Sequence, residues 1–445
     1  MKIKVMIPLL LAVAVFILWR YVYPCVLAYH EQLQLFLWSS DYAVARIQEP
    51  GGMTRYVAEF IVQYYNNFLV GAVLISLLYI AIQQLAYRIA RRFVGDCRQS
   101  LVISLLVPLV MMIVTADVDV MTTLVVSYIF CLLAMAYIPL KGMVSVVYAF
   151  VVVPLFYWLA GPVVLFFCLY MMLSWIVLWR KNIVTVLLGI MLIVFALACI
   201  YLSQYACEYH IGVLFRGVDY FRYPINVVPM YWLLVLPAMC PLFSVVKPKW
   251  GMSVEVVALC MAVIVLPFSY DEVKYEQMEY DLLVRMQRWD MILEKSQKQE
   301  PRSVPCYLAV NLALMKTDNM SRRDLMLCLG GLKKETNNKM AGILGEVFYH
   351  LGMINWSQRF AFEQMEAIPN YNKSGRLMKR LAETSLVSGN YRLTRKYLAI
   401  LSLAPFYRSW ASDIERLLDT PTLLEKHPIY APLMHSFPQK DALYF

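Results

Sequence analysis

Long apolar stretches separated by short polar loops occupy the first 270 residues of the chain. A bilayer core is about 30 Å thick and an α-helix rises about 1.5 Å per residue, so about 20 apolar residues cross it. Each predicted span is a helix, because strand edges cannot lie in lipid with unpaired amides. Nine segments fit this rule: 5–27, 67–87, 101–116, 120–139, 142–160, 162–179, 183–203, 226–246 and 251–269. Only Gly161-Pro162 separates two of them, which also allows a broken or re-entrant arrangement there.

The pattern changes after residue 270, where residues 271–418 carry apolar side chains at helical spacing with almost no strand signal. Pro301, Pro369 and Pro405 are 68 and 36 residues apart, which is close to two periods and one period of about 34 residues. This region resembles tetratricopeptide repeats, a resemblance that implies stacked helix pairs and a peptide-binding or protein-binding face. The alternative is a generic helical bundle with the same period. Residues 419–445 contain four prolines and are predicted to form an extended or partly disordered strap.

The composition agrees with this division of the chain. Hydrophobic residues make up 61% of the chain, charged residues make up 16%, and the mean hydropathy is +0.60. These values exclude an ordinary soluble globular protein and a disordered chain. The predicted fold class is therefore all-α: a polytopic transmembrane bundle over residues 1–270, followed by a soluble helical repeat domain over 271–418.

Lysine and arginine determine the predicted orientation. With the N-terminus in the cytoplasm, 11 of the 16 basic residues before position 271 fall in internal segments, as the positive-inside rule requires. An odd number of spans then places residues 271–445 on the opposite side. The predicted location is a bacterial inner membrane, with the C-terminal domain in the periplasm.

The first external loop, residues 28–66, is long and contains Pro50-Gly51-Gly52. Its apolar residues recur at helical spacing on both sides of this turn, which predicts two amphipathic helices at the membrane surface. Asp41 follows two serines near the start of the first of these helices. It is interpreted either as a helix cap or as a catalytic or metal-holding carboxylate.

The second external loop is very short and contains Asp117-Val118-Asp119 between two spans. Two carboxylates at the end of a helical bundle offer oxygen ligands to a hard divalent cation such as Mg²⁺ or Mn²⁺. The alternative is a polar loop that marks the boundary with water.

Basic residues on the predicted outer side are the candidates for binding an anionic group. Arginine binds phosphate bidentately and stays charged. His210 lies in the same loop, 204–225, as two of these arginines, and Arg20 lies in the outer third of the first span, where it either faces a cavity or reaches the interface. The four arginines, which alternatively pair with acidic residues of the same loops, are Arg46, Arg55, Arg216 and Arg222.

Other chemistry is weakly indicated. Neither an HExxH zinc motif nor a GxxxxGK[ST] phosphate-binding loop occurs in the sequence, and no nucleic-acid partner is predicted. Cys306 and Cys328 both lie on the predicted outer side, where they could form a disulfide or remain free thiols.

The order of these features resembles the type C fold of membrane glycosyltransferases, which use lipid-phosphate sugar donors. That family has an acidic residue in a long first external loop, and its oligosaccharyltransferase members have an acidic-x-acidic pair in the second. The resemblance implies that Asp41 is a base or a metal ligand and that Asp117 and Asp119 hold the metal. It also implies phosphate contacts from Arg216 or Arg222. The acceptor-recognition motif of the oligosaccharyltransferases is not visible, which leaves the acceptor open.

Two functions from different classes follow. One is transfer of a sugar from a polyprenyl-phosphate donor at the outer face of the membrane. The other is a non-catalytic envelope scaffold whose repeat domain binds a periplasmic protein or peptide. A transporter is third, because few charges lie deep in the spans. The whole chain also resembles a bacterial multi-pass membrane family with a Pro-Gly-Gly first loop and a repeat tail, which implies no activity.

Overall fold

A computed structural model describes residues 2–140, 142–179, 182–223, 227–245, 248–321, 324–325, 328, 341–370 and 372–440. The chain divides into two compact units. The membrane unit comprises Met1–Val22 and Ser40–Asp271, and the helical unit comprises Tyr23–Ser39 and Glu272–Phe445. Four basic residues used for the predicted orientation lie outside the described residues: Lys141, Arg180, Lys181 and Lys247.

Regular structure in the described ranges is helical, apart from one isolated β-bridge. The helices up to residue 265 are α1 (Lys2–Ile17), α2 (Pro24–Glu31), α3 (Ser40–Ile47), α4 (Gly52–Gln63), α5 (Phe68–Val94), α6 (Arg98–Thr115), α7 (Thr122–Tyr137), α8 (Gly142–Ala160), α9 (Val164–Leu178), α10 (Ile183–Ser203), α11 (Ile211–Arg216), α12 (Cys240–Phe243) and α13 (Pro248–Val265). Those after residue 271 are α14 (Glu272–Arg285), α15 (Trp289–Lys298), α16 (Val304–Lys316), α17 (Ala341–His350), α18 (Ile354–Glu366), α19 (Gly375–Val387), α20 (Tyr391–Leu401), α21 (Arg408–Asp419), α22 (Pro421–Leu424) and α23 (Tyr430–Lys440).

The number of span-length helices is smaller than predicted. In the described residues, four helical segments are long and apolar enough to cross a membrane, or up to six if each of two interrupted helix pairs counts as one span. The prediction of nine was therefore too high. Helix α7 has only 16 residues, or about 24 Å at 1.5 Å per residue. Pro229–Met239 is an 11-residue 3-10 helix followed by the short α12.

The segment 142–178 folds back on itself at Gly161-Pro162. The Trp175 indole donates to Ser145 Oγ at 2.9 Å, which joins the end of α9 to the start of α8. The rings of Phe156 and Phe167 lie 5.8 Å apart close to the turn. Helices α8 and α9 are therefore antiparallel, and Gly161 makes the reversal with φ = +78°.

The Pro50-Gly51-Gly52 turn between α3 and α4 packs against this reversal. The Gly51 amide donates to the carbonyl of Trp158 at 2.8 Å. A Cβ on Gly51 would lie 3.4 Å from the Gly161 Cα, and a Cβ on Gly161 would lie 2.9 Å from the Tyr220 hydroxyl. Two glycine-containing turns that are distant in sequence therefore meet because neither carries a side chain at the contact.

Successive antiparallel helices build the helical unit around two apolar cores. One core joins α14, α15, α16 and α17, and the other joins α18 to α21 with the C-terminal helices. Ser357 Oγ on α18 donates to the Gly345 carbonyl on α17 at 2.8 Å, so these two helices approach closely where the glycine lies. The specific resemblance to tetratricopeptide repeats remains a prediction. Between α16 and α17, residues 322–323, 326–327 and 329–340 lie outside the described residues.

Two segments differ from the sequence-based expectation. The predicted single helix 5–27 is interrupted, because α1 ends at Ile17, a π-helical turn follows, and Pro24 begins a new helix. Proline has no amide hydrogen and is favoured at the first helical position. The segment 419–440, expected to be extended, forms α22 and α23 instead, and Pro421 occupies the start of the first of them.

A chain of ion pairs crosses the helical unit. Arg376 binds both oxygens of Asp281 at 2.7 and 3.2 Å and also lies 3.2 Å from Glu346. Arg380 lies 2.7 Å from the other oxygen of Glu346 and 2.7 Å from Glu383. Burial raises the pKa of Glu346, but Arg380 and Arg376 outweigh burial and lower it to about 2. These charges tie α14, α17 and α19 together.

His350, at the end of α17, lies edge-on to the Trp289 ring with centroids 5.4 Å apart. Burial lowers its pKa to about 4, and nearby Glu346 opposes this shift while Lys316 and Arg380 add to it. The imidazole is therefore neutral in the folded protein at pH 7.

Replacing Gly161 with alanine should destabilise the membrane unit more than the same change at Gly95. Both glycines have positive φ, but a Cβ at Gly95 meets nothing within 4 Å, so that variant reports the cost of the backbone conformation alone, about 1–3 kcal/mol where φ is +87° and ψ is −176°. Gly161→Ala adds the clash with Tyr220. We expect a lower unfolding temperature in detergent for Gly161→Ala than for Gly95→Ala, and equal temperatures would contradict the contact described here.

The helical unit should lose stability as the pH falls from about 6.5 to about 4. In that interval the unfolded His350 takes up a proton that the folded one refuses, which costs up to about 3 kcal/mol. Stability should fall further below about pH 4.5, because Glu346 takes up a proton at a higher pH in the unfolded chain than in the folded protein. The protection factors of residues 341–366, which correct hydrogen exchange for its intrinsic dependence on pH, should fall over the upper interval, and His350→Gln should remove that fall. The same fall in both proteins would refute the assignment to His350.

Candidate functional site

Arg55 is the centre of a buried ionic cluster in the membrane unit. It lies on α4, its side chain is 1% exposed, and its Nε is 2.9 Å from Asp219 and 3.1 Å from Glu59. Its Nη1 lies 2.6 Å from Glu49 and donates to the Tyr209 hydroxyl at 3.0 Å. The Arg55 guanidinium group therefore connects α4 and the turn before it with the loop 204–225.

Glu59, one helical turn after Arg55, is fully buried and receives three donors. The Tyr42 hydroxyl donates to it at 2.6 Å and Arg46 Nε donates at 3.2 Å. The Arg46 guanidinium also lies 4.8 Å from the centre of the Tyr42 ring. Helix α3 is amphipathic, and its Tyr42 and Arg46 lie one turn apart, so both reach the same carboxylate.

Three carboxylates face two guanidinium groups in this cluster, which leaves one negative charge in excess. Burial raises the pKa of Glu59, and Arg46 and Arg55 counteract only part of that rise. Burial lowers the pKa of Arg55, but Asp219 and Glu59 outweigh burial and raise it. The arginine therefore keeps its charge, and burial gives Glu59 a greater tendency to hold a proton than an exposed glutamate has.

Asp219 gives the loop 204–225 an uncommon backbone conformation. Its φ is +61°, a value that is uncommon for residues other than glycine and that aspartate tolerates better than most. Gly217, two residues earlier, has φ = +94°, and a Cβ there would lie 2.3 Å from the Tyr220 ring. The ion pair between Asp219 and Arg55 and the packing of Tyr220 together fix the course of residues 217–222.

This loop pairs with the short acidic loop. Val120 and Phe221 form an antiparallel β-bridge, with Met121 N donating to the Tyr220 carbonyl at 3.0 Å and Arg222 N donating to the Asp119 carbonyl at 2.6 Å. In this register Asp119 is directly opposite Arg222, and opposite residues of an antiparallel pair project to the same face with Cβ atoms about 5 Å apart.

Asp117 is part of the same turn, because its Oδ1 accepts the Asp119 amide at 3.0 Å. Both aspartates and Arg222 are half-buried. The predicted acid pair and one predicted phosphate-binding arginine are therefore neighbours in the folded chain.

The other predicted site residues lie on the same three segments, with one exception. Asp41 is exposed in the first turn of α3, where Ser40 Oγ is 3.4 Å away. His210 follows Tyr209 and its Nδ1 accepts the Gly212 amide at 3.1 Å, as a cap of α11. Arg216 ends α11. Arg20 is the exception, because it lies in the π-helical turn with its guanidinium 5.1 Å from the Tyr21 ring.

For Arg46 and Arg55 the structure agrees with the alternative interpretation of the sequence, in which they pair with acidic residues of neighbouring loops. Their guanidinium groups bind Glu49, Glu59 and Asp219. We therefore assign them to holding the loops together, and Arg216 and Arg222 remain the candidates for contact with phosphate.

No group of three His, Cys, Asp or Glu side chains in the described ranges is arranged to hold a metal ion. Asp117 and Asp119 alone supply two carboxylates, so the divalent cation remains a prediction that needs ligands from water or a substrate. Cys306 is buried, Cys328 is exposed, and both are free thiols.

Sequence reasoning missed the acidic half of the cluster. Glu49, Glu59 and Asp219 were not singled out as site residues. The sequence does indicate one of these pairs, because Arg55 and Glu59 are spaced i,i+4 on an amphipathic helix and such residues face each other. The pairing of Arg55 with Asp219, 164 residues away in sequence, has no local signature.

A family model described as "Family of unknown function (DUF6057)" matches residues 1–445. The chain belongs to the DUF6057 family. No curated protein and no solved structure matches it. The family match spans both units of this DUF6057 protein, so the two units occur together as a family feature.

Removing the charge of Arg55 should destabilise the membrane unit of this DUF6057 protein strongly. Arg55→Ala leaves buried carboxylates without their partner, and breaking a buried ion pair on one side costs about 3–5 kcal/mol. Arg55→Lys keeps the charge but loses the forked geometry, so it should lie between alanine and the native protein. Thermal unfolding in detergent measures the effect.

The matched control is Arg98→Ala, because Arg98 is exposed at the start of α6. It should shift the unfolding temperature by no more than about 1–2 °C, since exposed substitutions usually change stability by less than about 0.5 kcal/mol. Equal unfolding temperatures for Arg55→Ala and this control would show that the buried cluster does not stabilise the packing between the segments of Arg55 and Asp219.

Proposed function

We propose that the protein transfers a sugar from a polyprenyl-phosphate donor to an acceptor at the outer face of the bacterial inner membrane. The observation that supports this proposal is the pairing that sets Asp119 opposite Arg222, with Asp117 in the same turn. Carboxylates that bind a cation and an arginine that binds phosphate are the groups such a donor requires.

In the proposed reaction, an acceptor hydroxyl oxygen forms a bond to the anomeric carbon of the donor sugar. The bond between that carbon and the donor phosphate oxygen breaks, and the oxygen leaves with the bonding electrons. Asp41 is the candidate base that takes the acceptor proton. Arg222 and Arg216 are the candidate contacts to the phosphate.

Asp117 and Asp119 would hold Mg²⁺ or Mn²⁺ together with oxygens of the donor phosphate, because Mg²⁺ is commonly bound by one or two carboxylates plus substrate phosphates. Such an ion would stabilise the charge that develops on the leaving phosphate. The buried cluster around Arg55 would act only by positioning these segments. We assign no step to His210 or Arg20.

The proposal includes an orientation. The N-terminus would be cytoplasmic and the helical unit periplasmic, which requires an odd number of membrane crossings. A sidedness reporter fused after Phe445 should therefore be active only outside the cytoplasm.

A second candidate function is a non-catalytic envelope scaffold with a tetratricopeptide-like unit that binds a periplasmic protein or peptide. The observation in its favour is that the second helices of two successive pairs, α17–α18 and α19–α20, begin at Ile354 and Tyr391, 37 residues apart, close to the period of about 34 residues of such repeats.

Undecaprenyl phosphate should bind the full-length protein in nanodiscs, and Arg222→Gln should weaken that binding. Losing one charge-assisted hydrogen bond to phosphate should weaken the binding free energy by about 1.5–3 kcal/mol, which lowers the affinity about tenfold to a hundredfold. Arg222→Lys should retain part of it. Native mass spectrometry of the protein–lipid complex measures the binding.

In the native bacterium, Asp41→Asn and Asp117→Asn should each change the surface-glycan profile, whereas Asp290→Asn should not, because Asp290 is exposed on α15 of the helical unit. Unchanged glycans in both test variants, together with unchanged lipid binding by Arg222→Gln, would reject group transfer and favour the scaffold.

A further inference from the structure

Residues 23–39 belong to the helical unit although about 230 residues separate them from the rest of it in sequence. Helix α2 ends at Glu31, and residues 34–38 that follow form neither helix nor strand. Leu35 is 5% exposed and Phe36 is fully buried. An irregular segment with buried side chains must lie against a surface that receives it.

Two polar side chains anchor the start of this segment. Glu31 accepts the Tyr407 hydroxyl at 2.7 Å and pairs with Arg285 at 3.4 Å. Gln32 accepts from Arg376 at 3.0 Å and lies 3.5 Å from Asp281. Both oxygens of the carboxylate and both ends of the amide are therefore engaged.

Apolar contacts and one backbone bond anchor the end of the segment. Leu35 belongs to the same core as Leu377, Leu381 and Tyr407, and Leu37 packs against that core. The Trp38 amide donates to the Leu403 carbonyl at 2.8 Å. The polar and apolar anchors follow each other along one path.

The receiving surface consists of the first helices of the stacked pairs. Asp281 lies on α14 and Arg376 on α19, and Glu346 on α17 joins them through Arg376. Stacked helix pairs bind extended peptides on such a face through fixed charges for polar side chains and pockets for apolar ones. The segment uses both kinds of contact.

We propose that the helical unit has a peptide-binding groove and that residues 29–38 of the same chain are its resident ligand. The chemistry of a competing partner follows from the anchors: a segment that leaves the end of a helix with a glutamate and then a glutamine, and continues without regular structure to a leucine three residues later. Such a partner gains the groove only when residues 29–38 leave it. The inference does not depend on group transfer in the membrane unit.

The test uses the full-length protein and a fluorescein-labelled peptide that covers residues 29–39. The unmodified protein should bind this peptide weakly, because its groove is occupied. Leu35→Ala with Leu37→Ala weakens only the resident segment and should raise peptide affinity at least tenfold, measured by fluorescence anisotropy. The matched control is Leu423→Ala with Ile429→Ala, two aliphatic truncations at exposed positions of the same unit, which should leave affinity unchanged.

A peptide with Glu31→Ala and Gln32→Ala should bind the weakened protein at least tenfold less tightly, which distinguishes groove recognition from adhesion to apolar surface. A second weakened protein, Glu31→Gln with Gln32→Ala, keeps the apolar anchors in case the first does not fold. Folded weakened proteins that bind no peptide would overturn the proposal. Failure of both to fold would also overturn it, because residues 29–38 would then be core rather than ligand.

Discussion

The charge of Arg55 is the constraint on which the loops of the membrane unit depend. A guanidinium cannot be neutralised at any ordinary pH, and burying it without partners costs several kcal/mol. Arg55 is almost fully buried, so carboxylates must come to it, and they come from two loops: Glu49 and Glu59 from the first, Asp219 from the loop 204–225. The requirement to satisfy one charge thus brings distant segments together.

Backbone packing at two glycine turns adds to the effect of the buried charges. Gly51 and Gly161 pack against each other, and a Cβ on Gly161 would lie 2.9 Å from the Tyr220 hydroxyl. Tyr220 is also a member of the pairing that sets Asp119 opposite Arg222. The ion cluster, the two glycine turns and the acidic loop therefore form one continuous frame. A rigid frame of this kind is what a site with separated acidic and basic groups requires, since their spacing must persist when a substrate binds.

Buried arginines have a second use in the helical unit. Arg376 and Arg380 share Glu346 and join three helices, and Arg376 also holds Gln32 of the resident segment. In the membrane unit the charges fix the loops of one compact unit, whereas here they also retain a piece of chain from far upstream. The same physical requirement, that a buried charge must be paired, therefore organises both units.

The sequence by itself determined the helical class, the change of character near residue 270 and the turn at Gly161-Pro162, because these depend on hydrophobic period, charge density and the backbone preferences of glycine and proline. Its length rule overestimated the spans, since a 3-10 helix and a 16-residue helix are not distinguished by apolar composition. It selected Asp119, Arg222 and Arg55 but could not pair them. Only the tertiary structure decided that Arg55 binds Asp219, that Asp119 lies opposite Arg222 and that residues 23–39 belong to the helical unit. Those contacts join residues about 100 to 380 positions apart, and at such separations no local periodicity or spacing records which partner a side chain will meet.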